Sequence, residues 1–141
     1  MSKANEVLKI DSISSEEKLM RVFMAMRITS EVDGDVLNSI HKSENVLLHQ
    51  KTLSSIVTAM APILVKVIEE GIEKKVWSCR YPLQYMQIFL ASSLTLIDEG
   101  IFELNADSQM KIMPALISIL EKMLDVNEDF FMKLLTEYWQ R

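Results

Sequence analysis

Between Ser14 and Ile28, apolar residues recur at helical spacing. Leu19, Val22, Phe23 and Met26 form an i, i+3, i+4, i+7 stripe, and Met20, Met24 and Arg27 lie on an adjoining face. Ser14 and Glu17 open the segment at capping-box spacing, where each side chain can satisfy the other's free backbone N–H. Gly34, between two aspartates, signals a turn before a short helix carrying Val36, Leu37 and Ile40. From Glu44 to about Lys75 the pattern predicts one long helix. Pro62 should bend it by removing one backbone hydrogen bond, so that its halves face different neighbours. Pro82 suits a first helical position and Gly100 can close the helix it begins, which predicts a helix over 83–97. Another follows over 109–124, and Asn127, Glu128 and Asp129 start a short terminal one ending at Tyr138 and Trp139.

Two of these helices have apolar residues on more than one side. Over 83–97, Leu83, Met86, Leu90, Leu94 and Ile97 form one stripe; Tyr85, Ile88, Phe89, Ser92 and Leu96 form another nearly opposite. Over 109–124, Met110, Met113, Ile117, Leu120 and Leu124 share one side, with Ile112, Leu116, Ile119 and Met123 on others. A small bundle buries one face of a helix, so the second face is expected on another copy of the chain. Ser92, Ser93 and Thr95 would let such helices cross closely.

Composition narrows the class. The 141 residues, 49% apolar and 25% charged, give length for one domain with one core, and three Gly and three Pro leave few helix breakers. The fold expected is all-α: a helical bundle with a proline-bent long helix and a two-helix dimerisation face, forming a single domain over 1–141. A net charge of −5, with no basic run longer than Lys74–Lys75, offers little to a phosphate backbone. The uncharged run from Tyr81 to Ile97 is just short of a membrane span and contains Gln84 and Gln87, so it reads as buried in protein rather than lipid. No secretory signal is recognisable, and the lone Cys79 can form no intrachain disulfide, consistent with a cytoplasmic protein.

The order of features resembles the C-terminal regulatory domain of TetR-type transcriptional repressors. The likeness runs from Glu16 to Leu135 and rests on "SEEKLMRVF", the long "LLHQKTLSSIVTAMAPILVKVIEEGIEKKVW" helix, "YPLQYMQIFLASSLTLIDEGIF" and the apolar helix after it. Its most telling parts are the helix ending in a glycine-containing turn before an aromatic-bearing connection, and the "YP" that opens the next helix. The resemblance implies that helices 83–97 and 109–124 pair with their copies in a four-helix interface. Tyr85, Phe89, Ser92, Leu94, Leu96, Met113, Leu116 and Leu120 are the contact candidates. It also implies an effector pocket enclosed by the earlier helices. Such a chain begins inside the helix that follows a helix-turn-helix domain, and reaches DNA only through that domain, which it does not itself carry.

Pocket candidates are Met20, Phe23, Met24, Arg27, His41, Met60 and Leu64, with His49 nearby; the competing reading makes the apolar ones ordinary core. Ten methionines suit a plastic pocket for a largely apolar effector, and an inward Arg27 would meet an anionic group, a solvated one none. His41 and His49, with Glu44 between them, lack a third and fourth ligand, so no metal is assigned. Arg80 beside Cys79 could favour a thiolate, against the alternative of an inert cysteine. No Ser/His/Asp set, phosphate loop or HExxH motif points to catalysis or a cofactor. The resemblance implies a non-enzymatic ligand-sensing and homodimerisation domain. The alternative from a different class is a helical interaction module docking a different chain, and an enzyme built in a helical bundle comes third.

Overall fold

The structure is a computed structural model and describes residues 2–32, 46–97 and 103–140. Every regular element among the described residues is a helix: α1 Ser2–Leu8, α2 Ser15–Val32, α3 Val46–Glu73, α4 Pro82–Ile97, α5 Ala106–Met123 and α6 Phe130–Gln140. The turn at Gly34, the short helix after it and the proposed stop at Gly100 lie outside the described residues. α1 was not foreseen from the pattern; it is a short helix that buries Ala4.

Local chemistry sets the helix boundaries. At α2 the Glu17 amide donates to Ser14 Oγ at 3.2 Å, and Glu16 and Glu17 place negative charge in the first turn. α4 begins at Pro82, whose missing N–H costs nothing there, and the Tyr85 amide donates to the Tyr81 carbonyl at 2.9 Å. Asn105 caps α5, its side chain accepting from the Ser108 amide at 2.8 Å. Both α3 and α5 contain a proline, Pro62 and Pro114, yet neither helix ends there. Pro62 and the residue one turn before it, Thr58, are both exposed, so the carbonyl that lacks a helical donor faces water.

The C-terminal ends of α3 and α5 close in the same way. At α3 the Val76 amide reaches back to the Gly71 carbonyl at 2.9 Å and the Lys75 amide to Ile72 at 3.1 Å, with Lys75 left-handed at φ 59°. At α5 the Val126 amide reaches Glu121 at 3.1 Å and the Asp125 amide reaches Lys122 at 3.3 Å, with Asp125 at φ 54°. This is the Schellman arrangement with a non-glycine residue in the left-handed position. Gly71 lies inside the last turns of α3, and its carbonyl is the acceptor of this closing turn. Its lack of a side chain lets the buried Trp77 indole lie directly on the helix, where Nε1 donates to the Ile68 carbonyl at 2.9 Å. A Cβ at position 71 would collide with that indole.

α3 is the central element, packing against α1, α2 and α4; α5 then packs on α4, and α6 on α5. The core runs through Leu19 and Val22 of α2, Met60, Leu64, Val67 and Ile68 of α3, Met86 and Leu90 of α4, Leu116, Leu120 and Leu124 at α5, and Phe131 of α6. By length and composition the segment Gln50–Glu73 is apolar enough to cross a membrane, but its Ala61, Leu64, Val67 and Ile68 are buried inside this bundle. One ion pair is built into the packing. Lys18, with a side chain only 4% exposed, donates from Nζ to Glu70 Oε1 at 2.8 Å, and Lys74 reaches the same oxygen at 3.2 Å.

Candidate functional site

The effector candidates separate by burial. Met20, Met60 and Leu64 are buried, and Met60 and Leu64 sit in the close-packed core with Leu19 and Val22. Phe23 and Met24 are half-buried on α2, and the Phe23 ring meets Phe89 of α4 with centroids 5.4 Å apart. Along the N-terminal half of α3, Leu53, Ile56 and Val57 are also only half-buried. Phe23, Ile56 and Val57 pack against the core cluster, and Leu53 and Met24 are half-buried on α3 and α2. The i, i+3, i+4 spacing of Leu53, Ile56 and Val57 was the available signal. Arg27 falls in α2 and His49 in α3, but their side chains lie outside the described residues, as do His41 and Glu44 altogether. Two open grooves run along α6, lined by Asn127, Glu128, Phe130, Lys133, Leu134 and Glu137 and by the neighbouring Asp129, Met132 and Thr136; neither touches an effector candidate.

The interface candidates divide too. Phe89, Leu116 and Leu120 are buried in the chain's own core, so their surface is already covered before any second copy arrives. Tyr85, Ser92, Leu94 and Leu96 are half-buried. Ser93 turns its hydroxyl back to the Phe89 carbonyl at 2.7 Å, inside its own helix. α4 is not apolar on every side, because its exposed edge carries Gln84, Gln87, Ile88 and Ala91.

α5 shows the sharper contrast. Of its stripe, Leu120 and Leu124 are buried and Ile117 is half-buried, while toward the helix start Met113 is 49% and Met110 78% exposed; Leu116, from another side, is buried. Ile119 on the far side of α5 and Ile88 on α4 are exposed as well.

Two titratable groups elsewhere in the bundle depart from their ordinary values. Burial pushes the Glu70 carboxyl up, but the hydrogen bonds and charges of Lys18 and Lys74 more than reverse this, holding it below its ordinary value of 4.5. Burial pushes the Cys79 thiol up, against the smaller opposing pull of a hydrogen bond from the Tyr81 amide. Arg80 lies over the Tyr81 ring, 5.3 Å from its centroid. The neutral thiol is favoured, and the inert reading of Cys79 replaces the activated one.

With this geometry in hand, comparison with known families matches residues 27–119, about two-thirds of the chain, to the family described as Tetracyclin repressor-like, C-terminal domain. Comparison with curated proteins gives no match.

Proposed function

The chain belongs to the tetracyclin repressor-like C-terminal domain family, the regulatory part of TetR-type regulators, and on that premise we propose that it homodimerises through α4 and α5 and senses a small, largely apolar effector between α2 and α3. The observation that carries the proposal is the α5 face that leaves the core uncovered at Met110 and Met113. On α4, Ile88 is also exposed and Tyr85, Ser92, Leu94 and Leu96 are half-buried, and they are the α4 residues assigned to the contact. The helices that would meet the effector and those that would meet the second copy are linked through α3 and α4, which pack directly on each other. Effector binding favours one arrangement of the pair and so alters the spacing of DNA-binding heads in the full-length regulator. The domain works without catalysis, metal or cofactor, in the cytoplasm, and meets DNA only through a separate helix-turn-helix.

Light scattering after size exclusion tests the association. A mass near twice the 16.2 kDa chain is expected. Met113→Arg should return it to one chain, because the unpaired charge would have to enter an apolar contact, while its exposed position leaves the protomer folded. A monomer at micromolar concentration would remove this assignment. A complex of this chain with a different protein would then favour the hetero-interaction reading.

The effector is tested by thermal shift against a library of apolar small molecules. A ligand at a hundred times its dissociation constant should add about 2.7 kcal/mol of stability. Met24→Trp should weaken that gain and leave dimerisation intact, since the two surfaces use different helices. Equal loss of both would show that they are one site.

A further inference from the structure

α6 is fastened to the bundle by an unusual fixture. Glu121, in the last turns of α5 and only 4% exposed, places one carboxylate oxygen 3.3 Å from the Asp129 amide and the other 3.0 Å from the Phe131 amide. The free N–H groups at the start of α6 are thus satisfied by a carboxylate from another helix, whose negative charge also faces the positive end of the α6 dipole. Asp129, which leads into α6, stands in the left-handed region at φ 66°, a conformation that costs a non-glycine residue energy.

The rest of the attachment is slight. Phe131 is the fully buried α6 side chain among those described, meeting Trp77 at 6.5 Å between centroids and Phe130 edge-on at 5.1 Å. Phe130, Leu134 and Leu135 are half-buried, and Met132, Lys133, Thr136 and Glu137 face solvent. Phe130 and Leu134 pack on the core from the edge, so among the described α6 side chains Phe131 alone is fully buried, and an element attached in this way is the kind that opens ahead of the core.

We propose that α6 is a strap that opens and closes as one unit on a folded α1–α5 bundle, with the Glu121 carboxylate as its latch. Opening uncovers the Trp77 ring and brings a buried carboxylate to the surface in the same event. It also removes support from the junction where the Ser78 amide donates to the Leu124 carbonyl at 3.1 Å, tying the α3–α4 connection to the end of α5. The strap does not depend on the effector or dimer assignments.

Hydrogen–deuterium exchange by mass spectrometry on the full chain tests this. In the unaltered protein the α6 amides should exchange together and faster than those of 60–72 in α3. Glu121→Gln exchanges a charged acceptor for a neutral one and should speed α6 exchange by about ten- to a hundredfold while leaving α3 within about twofold. Glu121→Asp keeps the charge but shortens the reach, should give a smaller acceleration, and decides the matter if the Gln variant does not fold. Equal protection of α6 and α3 in the unaltered protein would overturn the proposal. So would acceleration spread evenly over both helices, or none at α6 in either variant.

Discussion

Gly71→Ala should destabilise the domain by about 3 kcal/mol or more, although helix propensity alone predicts a gain of about 1 kcal/mol for the same change. The added methyl group would occupy space held by the Trp77 indole. The ring must leave its buried seat, the Nε1 bond to the Ile68 carbonyl is lost, and contact with Phe131 goes with it. Urea denaturation followed by circular dichroism measures the change. In a Trp77→Leu background the smaller side chain leaves room, so Gly71→Ala should cost far less there, and the difference between backgrounds is the coupling energy. A stabilised single variant would mean that the indole does not rest on the helix.

The Lys18–Glu70 pair should prove strongly lopsided. Glu70→Gln leaves the Lys18 ammonium buried without its counter-charge and should cost about 2 kcal/mol at neutral pH, less than a fully buried pair because the Glu70 side chain keeps 25% of its surface in water. Lys18→Met removes the buried charge itself and should cost under about 1 kcal/mol, since the methionine fills the lysine's apolar path and Glu70 retains Lys74. The pH dependence has a definite sign. The folded-state pKa of Glu70 lies below the ordinary 4.5, so its contribution is complete above that value and fades as the pH falls through the folded pKa. Stability curves of the parent and Glu70→Gln proteins should therefore converge on acidification. Equal penalties for the two substitutions, or a gap independent of pH, would contradict this account.

Those two features also mark where the sequence stops being readable. Helix starts are governed by neighbours in the chain, so Ser14 and Pro82 announced α2 and α4 in advance, and the match over 27–119 agrees with the all-helical resemblance. Periodicity likewise identified the stripes on α4 and α5. It could not say which stripe turns inward, because that depends on the placement of other helices: Phe89, Leu116 and Leu120 were assigned to contact between chains and lie in the core of one. Lys18 shows the same limit, as nothing local marks it as buried beside a carboxylate 52 positions away. Asn127, Glu128 and Asp129 do start the last helix, the Phe130 amide donating to the Asn127 carbonyl at 3.2 Å, but the sequence could not show that the Asp129 and Phe131 amides are held by Glu121 from the preceding helix. The glycine before "IEKKVW" belongs to the helix end that the resemblance pointed to; that it also lets an aromatic ring approach needs knowledge of where Trp77 goes.

Pro114 stands between the two regimes of α5, one residue past exposed Met113 and two before buried Leu116. With no amide hydrogen to give, it leaves the Met110 carbonyl without a helical donor, so the rod is softest in bending there. Ile112, in the same half as Met110, packs on the core, so the turn around Pro114 is where the exposed and buried parts of the helix are joined by one fewer backbone bond. On the proposed association, a partner seated on Met110 and Met113 would load α5 next to that missing bond, while Leu116, Leu120 and Leu124 lie in the bundle's core.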